Sequence, residues 1–377
     1  MHAETAYLFR HALLRDAAYQ LQLPGDRARL HGIALNLIEE LCGGRAPEPP
    51  PLRETRITRY PLHATDPFAE ELAGHARQSG DAPAALRLYS RRAAEHATRM
   101  HRLDAAARLW TAFAGMAEAA DSGEAWRAAG AVNLIAGRIP EAVPLLERAI
   151  AASRASGEQR MEARAMNELG GAFREQGKLA EAERVFEEAC ETLRQVGDAF
   201  SVGVTLTNLA NLQRMMDRKE LAEQTYARCL EIHRAGGHRG AEGHALGKLG
   251  ILYGVTGRLE LAERTFETAL AIHREVGDSR FEGVALSNLA HVYLMTGRGP
   301  NCARAIETAL RLIRESGDRR SEGQTLALLA KLHEKSGKPG EARSTAREAL
   351  AIHREVGNRN GETETLALMA RLGTESA

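Results

Sequence analysis

From about residue 66 to the C-terminus, apolar side chains return at spacings of three and four, broken at short intervals by glycine. One stretch shows the scheme. Leu246, Leu249, Gly250 and Tyr253 share one face of a first segment, and Ala262, Phe266, Ala269 and Leu270 share one face of a second. That spacing predicts amphipathic α-helices, and segments of roughly fifteen residues give about four turns each. Neither helix can hide its stripe alone. Small residues at Gly250, Ala262 and Ala269 allow the two helices to approach closely, with Phe266 and Tyr253 filling the space left over. Stacked hairpins would then share a continuous core, the logic of a solenoid.

The pattern repeats every forty residues: glycine stands at 157, 197, 237, 277, 317 and 357, each time three residues after arginine at 154, 194, 234, 274, 314 and 354. Leucine recurs at 169, 209, 249, 289 and 329, with Met369 completing the column, and the next residue is always glycine or alanine. A second breaker recurs at Gly137, Gly177, Gly257, Gly297 and Gly337, with Asp217 in the remaining slot. The eight letters AIHREVGD at Ala271 to Asp278, which return as AIHREVGN at Ala351 to Asn358, then read as the last turn of a second helix and its stop. Ile272 and Val276 are expected to face inward, Arg274 to complement the negative helix end, and Gly277 to take the left-handed cap. Asp278 suits the N-cap of the next helix, with Glu282 in its first turn. His233, His273 and His353 occupy one slot of different repeats. Neighbouring hairpins stand about 8 to 10 Å apart, whereas the ligands of one metal lie within about 2.1 Å of it, so these histidines are expected to be structural or solvent-facing and not to share an ion.

Composition narrows the function classes. Hydrophobic content of 44% with 27% charged residues describes a soluble folded chain, and no apolar run approaches the ~18 residues that span a bilayer. The 50 basic residues balance the 50 acidic ones, so no global field draws in nucleic acid or a membrane directly. No charged n-region with an apolar h-region opens the sequence, and the four cysteines are scattered, which points to the cytoplasm. Cys229 and Cys302 fall in alanine columns and Cys190 in a leucine column, so each reads as a small buried hydrophobe.

The tract Gly43 to Pro51, followed by Pro61 and Pro67, cannot stay helical, because proline lacks the amide donor and restricts its predecessor. The expected division is a short helical N-terminal segment over 1–43, a Pro-rich linker over 44–67, degenerate helical repeats over 68–121, and six forty-residue repeats with a capping helix over 122–372. Within the degenerate part, helices are expected over 68–79, 82–100 and 103–119.

Trp126 with Gly130, Gly137, Ala142 and Ala149, and likewise Leu249, Gly250, Tyr253, Gly257, Ala262, Phe266 and Ala269, resemble the tetratricopeptide repeat signature. The forty-residue period and phrases such as Ala285-Leu286-Ser287-Asn288-Leu289-Ala290 resemble the variety found in G-protein-signalling modulators and bacterial sensor proteins. The resemblance implies an all-α fold, a right-handed α-solenoid of antiparallel helix pairs. Tyr7 to Tyr19 and Asp26 to His31 resemble the segment joining a winged-helix subdomain to repeats in bacterial signal-transduction ATPases.

Chemistry of the chain's own is not expected. No G-x-x-x-x-G-K-[ST], H-E-x-x-H, C-x-x-C or G-x-S-x-G is present, so nucleotide hydrolysis, metalloprotease, zinc-ribbon and hydrolase readings have no anchor, and neither catalytic residues, cofactor nor metal ligands are assigned. The expectation is a non-enzymatic scaffold or adaptor that holds a protein or peptide in its groove, with self-association left open. The alternative is the sensor arm of a signalling ATPase or transcription regulator whose catalytic part lies outside this chain. The resemblance implies groove positions at Arg164, Asn167, Gly171 and Arg174, then Val204, Thr207, Asn211 and Arg214, then His244, Gly247, Ile251 and Val255, and finally Ser287, His291, Leu294 and Met295. Acidic groups of a partner would meet Arg164, Arg174 and Arg214, while its apolar side chains meet Ile251, Leu294 and Met295. Gly243, Gly247, Gly250 and Gly254 would share one helix face, either for packing or for a ligand's approach.

Overall fold

The computed structural model describes residues 22–52 and 61–374, and the expectation for Tyr7 to Tyr19 lies outside them. Among the described residues there is no strand. The helices divide into two compact units that meet at Val196 and Gly197. The first holds α1 (Pro24–Leu41), α2 (Ala69–Ser79), α3 (Pro83–Arg99), α4 (Leu103–Ala114), α5 (Ala119–Ile135), α6 (Ile139–Ala155), α7 (Gln159–Glu175) and α8 (Leu179–Gln195). The second holds α9 (Ala199–Met215), α10 (Lys219–Ala235), α11 (Arg239–Val255), α12 (Leu259–Val276), α13 (Ser279–Met295), α14 (Gly299–Ser316), α15 (Arg319–Lys335), α16 (Pro339–Glu355) and α17 (Arg359–Thr374). Within each unit successive helices pack on one another as antiparallel pairs, an all-α solenoid.

The repeated residues do identifiable work. Phe266 lies across Gly250, where a β-carbon would stand 2.7 Å from its ring, and Phe186 lies across Gly170 in the same way. A larger residue in the glycine slot would wedge the pair apart. Gly277 closes α12 with φ 71°, and Asp217 holds the same left-handed region at φ 61° where the other repeats use glycine. Asp198, Asp278 and Asp318 cap α9, α13 and α15, each carboxylate accepting from a backbone amide at 3.1 Å.

The arginine column does more than complement a helix end. Arg154, Arg234, Arg274, Arg314 and Arg354 each donate through Nε to the glutamate eight residues on, at 2.7–2.8 Å. Each pair clasps the end of one hairpin to the start of the next.

Three expectations change. Ile272 is buried, but Val276 is exposed, because it sits at the very end of α12, where Gly277 reverses the chain. The helix expected over 103–119 stops at Ala114. The proline tract is docked rather than loose: Arg91 donates to Pro50 O at 2.5 Å and Arg92 to Pro47 O at 3.1 Å, while Ala46 and Leu52 are buried.

Candidate partner-binding surface

In the second unit the first helices of neighbouring pairs approach one another, α9 to α11, α11 to α13 and α13 to α15. Together they form an inner wall. The three histidines of the repeated slot lie behind it, with His233, His273 and His353 almost wholly buried. Each packs against a glycine of the wall, at Gly203, Gly243 and Gly323.

The candidate groove residues fall into distinct groups. Arg164, Asn167, Gly171 and Arg174 lie on α7 in the first unit, and all four are half-buried. Their surroundings are already neutralised: Arg127 contacts both Glu124 and Glu168, Arg164 stands 3.5 Å from Glu124, and Arg174 pairs with Glu175 at 2.8 Å. The other positions lie in the second unit. Asn211 accepts from Arg214 at 2.9 Å, and both side chains are half-buried. Thr207 is buried, bonded to Gly203 O at 3.0 Å and touching Cys229 Sγ.

Leu294 is a correction. It is 5% exposed, packed with Ala290, Cys302 and Ile306 in the core, so a partner cannot reach it. Its neighbour Met295 is 58% exposed and takes the outer position, since two consecutive residues at a helix end point about 100° apart. Met215 and Val255 hold the same slot of α9 and α11 and are also exposed. Met215 was not among the expected groove residues, although its column, forty residues from Val255, was visible in the sequence.

The four glycines of α11 divide cleanly. A β-carbon at Gly243 would meet His273 and Ile272, and one at Gly250 would meet Phe266, whereas Gly247 and Gly254 have nothing within 4 Å. The first pair serves packing; the second pair leaves open space along the wall.

Charge is unevenly placed on this wall. Residues 199–215 of α9, 243–255 of α11 and 283–295 of α13 hold no carboxylate at all, while Arg214, Lys248, His244 and His291 stand among them. Burial first, and the nearby lysines after it, hold the two wall histidines below their ordinary value. His244 is driven down to about 4, first by burial and next by Lys248, with Asp278 opposing. His291 is lowered by dehydration and then by Lys331 and Lys335 on α15, with Glu364 opposing. Ile251 and Ser287 are half-buried between these groups.

Cys229 and Cys302 have no reactive setting. Cys229 Sγ contacts Gly203 O at 3.2 Å, and burial raises its thiol pKa, as it pushes Cys302 up to about 11. Among the described residues no group of three or more His, Cys, Asp or Glu side chains is placed to hold a metal, and no helix is long and apolar enough to cross a membrane.

Comparison with known proteins gives a concordant result. No curated protein matches the sequence. A signal-transduction ATPase with a tetratricopeptide repeat sensor from Pyrococcus horikoshii superposes with a TM-score of 0.54 at 17% identity, over 83% of this chain and 49% of that one. The present chain therefore spans about half the length of that protein. A Rap protein complexed with Competence and Sporulation Factor superposes with a TM-score of 0.57 at 12% identity, over 92% of this chain and 98% of that one. A tetratricopeptide repeat protein from Parabacteroides merdae gives 0.51 at 16% identity, over 74% and 96%. These identities speak to fold alone. The tetratricopeptide repeat family model matches residues 121–195, 163–235, 201–275, 241–298 and 281–355, well over half of the sequence, and the chain belongs to that family.

Proposed function

We propose that this protein is a non-enzymatic adaptor in bacterial signalling, whose second unit holds an extended, acidic segment of a partner protein along the inner wall of α9, α11 and α13. The observation that carries the reading is the wall's composition over 199–215, 243–255 and 283–295: cationic and amide side chains without a carboxylate, edged by the exposed Met215, Val255 and Met295, while Glu242 and Glu282 at the helix starts are taken up by Arg234 and Arg274. Acidic groups of the partner would meet Lys248 and the neighbourhood of His244 and His291, and its apolar side chains would rest on the methionine edge. The open space at Gly247 and Gly254 lets a peptide backbone run close to α11. The Rap structure named above, of the same fold, is complexed with Competence and Sporulation Factor, which supports ligand binding by such a stack.

Fluorescence anisotropy with a panel of acidic, neutral and basic peptides carrying spaced apolar residues tests this. Acidic members are expected to bind, more weakly as salt rises, and Lys248→Glu is expected to weaken them about tenfold, as a partly desolvated charge pair would. Binding indifferent both to Lys248→Glu and to Met295→Asp, in variants with wild-type melting curves, would refute the site.

A second reading makes the repeats the sensor arm of a signalling ATPase whose catalytic portion lies outside this chain. The resemblance of Asp26 to His31 to a winged-helix junction supports it. Under that reading, ligand on the wall changes ATP turnover by a joined P-loop domain; under the first, this chain alone retains its target.

A further inference from the structure

Behind the wall, the second helices α12 and α14 stand farther apart over α13 than the first helices do from one another, and an open-sided cavity of about 460 Å³ lies between them. Its floor is apolar, built from the buried Leu270, Leu286 and Leu289. Side-chain size explains the space at this place in the stack. Ala305 lines the cavity in a column that elsewhere holds Leu145, Val185, Thr225, Thr265 and Thr345, and Asn301 stands where α10 and α12 carry Leu221 and Leu261.

The rim holds polar groups that the fold leaves over. In the preceding repeat Tyr253 donates its hydroxyl to Glu223 at 3.1 Å. Tyr293 holds the same column, but Arg298 takes both oxygens of the matching Glu263, at 2.7 and 2.6 Å. The Tyr293 hydroxyl is thereby left with no hydrogen-bond partner among the described residues. Glu267 of α12 likewise makes no ion pair among them, and the guanidinium of Arg304 on α14 donates only to Asn301, at 2.9 Å. Burial raises the pKa of Tyr293, with Glu263 and Glu267 adding to the rise and Arg298 and Arg304 opposing it. Glu267 and Arg304 thus lie within electrostatic reach of one hydroxyl, from two helices, without meeting each other. An apolar floor with a few convergent polar groups, in a volume within about 300–1,000 Å³, is the usual composition of a small-molecule site.

We propose that this cavity binds a free α-amino acid with a large apolar side chain. The ammonium group meets Glu267 and the Tyr293 oxygen, the carboxylate takes a paired contact from Arg304, and the side chain covers Leu270, Leu286 and Leu289. Charges of opposite sign on the two rims select a ligand that carries both signs, and the apolar floor between them sets what else it must carry. A ligand with one charge leaves one rim unmatched.

Calorimetric titration of the full chain, with saturation-transfer NMR for the weaker ligands, tests this. Phenylalanine and leucine are expected to bind, and alanine and glutamate are not. Hydrocinnamate lacks the ammonium group and phenethylamine lacks the carboxylate, and each is expected to bind about fivefold more weakly than phenylalanine, as suits contacts that reach solvent. Glu267→Gln is expected to weaken phenylalanine by a similar factor and to spare hydrocinnamate, whereas Arg304→Gln is expected to weaken phenylalanine and to spare phenethylamine. Ala305→Leu, which copies Leu145 of the same column, is expected to fill the floor and abolish binding without changing the melting curve. Failure of every large apolar amino acid to bind overturns the proposal, as does binding of phenylalanine that both charge variants leave unchanged. Hydrocinnamate or phenethylamine binding as tightly as phenylalanine overturns the doubly charged ligand on which the proposal stands.

Discussion

Gly203 of α9 and His233 of α10 meet so closely that a β-carbon on the glycine would stand 2.4 Å from Cε1 of the ring. Glycine inside a helix costs about 1 kcal/mol against alanine, and here the cost is offset by the approach it permits. Gly203→Ala is therefore expected to lower stability by about 1–3 kcal/mol through overpacking. Gly247→Ala, with nothing within 4 Å, is expected to raise it by about 0.5–1 kcal/mol. Urea unfolding of the two variants side by side checks the contrast; equal signs would show that His233 moves aside at little cost.

Acid should loosen the second unit. Burial holds the pKa of His233, His273 and His353 below the ordinary 6.5, with nearby His238 adding to it at His233 and Asp278 and Glu282 opposing it at His273. The unfolded chain, whose histidines titrate near 6.5, then binds protons that the folded chain refuses. Stability is complete above about pH 6.5 and falls as pH drops below it. Ile313 fills the same slot against Gly283, so His273→Ile is expected to fold and to flatten the decline of the melting temperature between about pH 7 and about pH 5. An unchanged slope would clear His273 of any part in it.

Much of this was legible in the sequence because a forty-residue period exposes each column several times over. Gly277, the cap at Asp278 and the burial of Cys229 all follow from columns, and the structure adds the caps at Asp198 and Asp318 in the same column as Asp278. What the columns hid is which side of a helix end faces out, as Leu294 and Val276 show: at a terminus one residue of shift turns a side chain through about 100°. The docked proline tract was hidden too, because its anchors, Arg91 and Arg92, lie on a helix outside the regular repeats.

The clasp between hairpins offers a third test. Glu242 is 4% exposed and accepts from Arg234 Nε at 2.8 Å and Arg239 Nη1 at 2.6 Å. Glu242→Gln keeps the shape and removes the charge. It is expected to cost about 1–2 kcal/mol, given that both arginines reach solvent, and the deficit read from melting curves should shrink at high salt.

Arg92 presents the sharper case, being 1% exposed and 2.5 Å from the buried Asp66. Arg92→Met leaves that carboxylate buried without its countercharge, for an expected loss of about 3–5 kcal/mol. Proteolysis within 46–52 should accelerate in this variant, because Pro47 O loses its donor. Replacing Asp66 by Asn in the same chain should recover part of the loss.

The regular clasp makes the second unit tolerant of editing. Were residues 239–278 excised, His238 would join Ser279, and Arg234 would find Glu282 at the separation at which it now finds Glu242. The seam would meet a clasp and a glycine-backed slot of the right kind, with His238 standing where Asp278 caps α13, so the chain could lengthen or shorten its reach by whole periods at the expense of one cap.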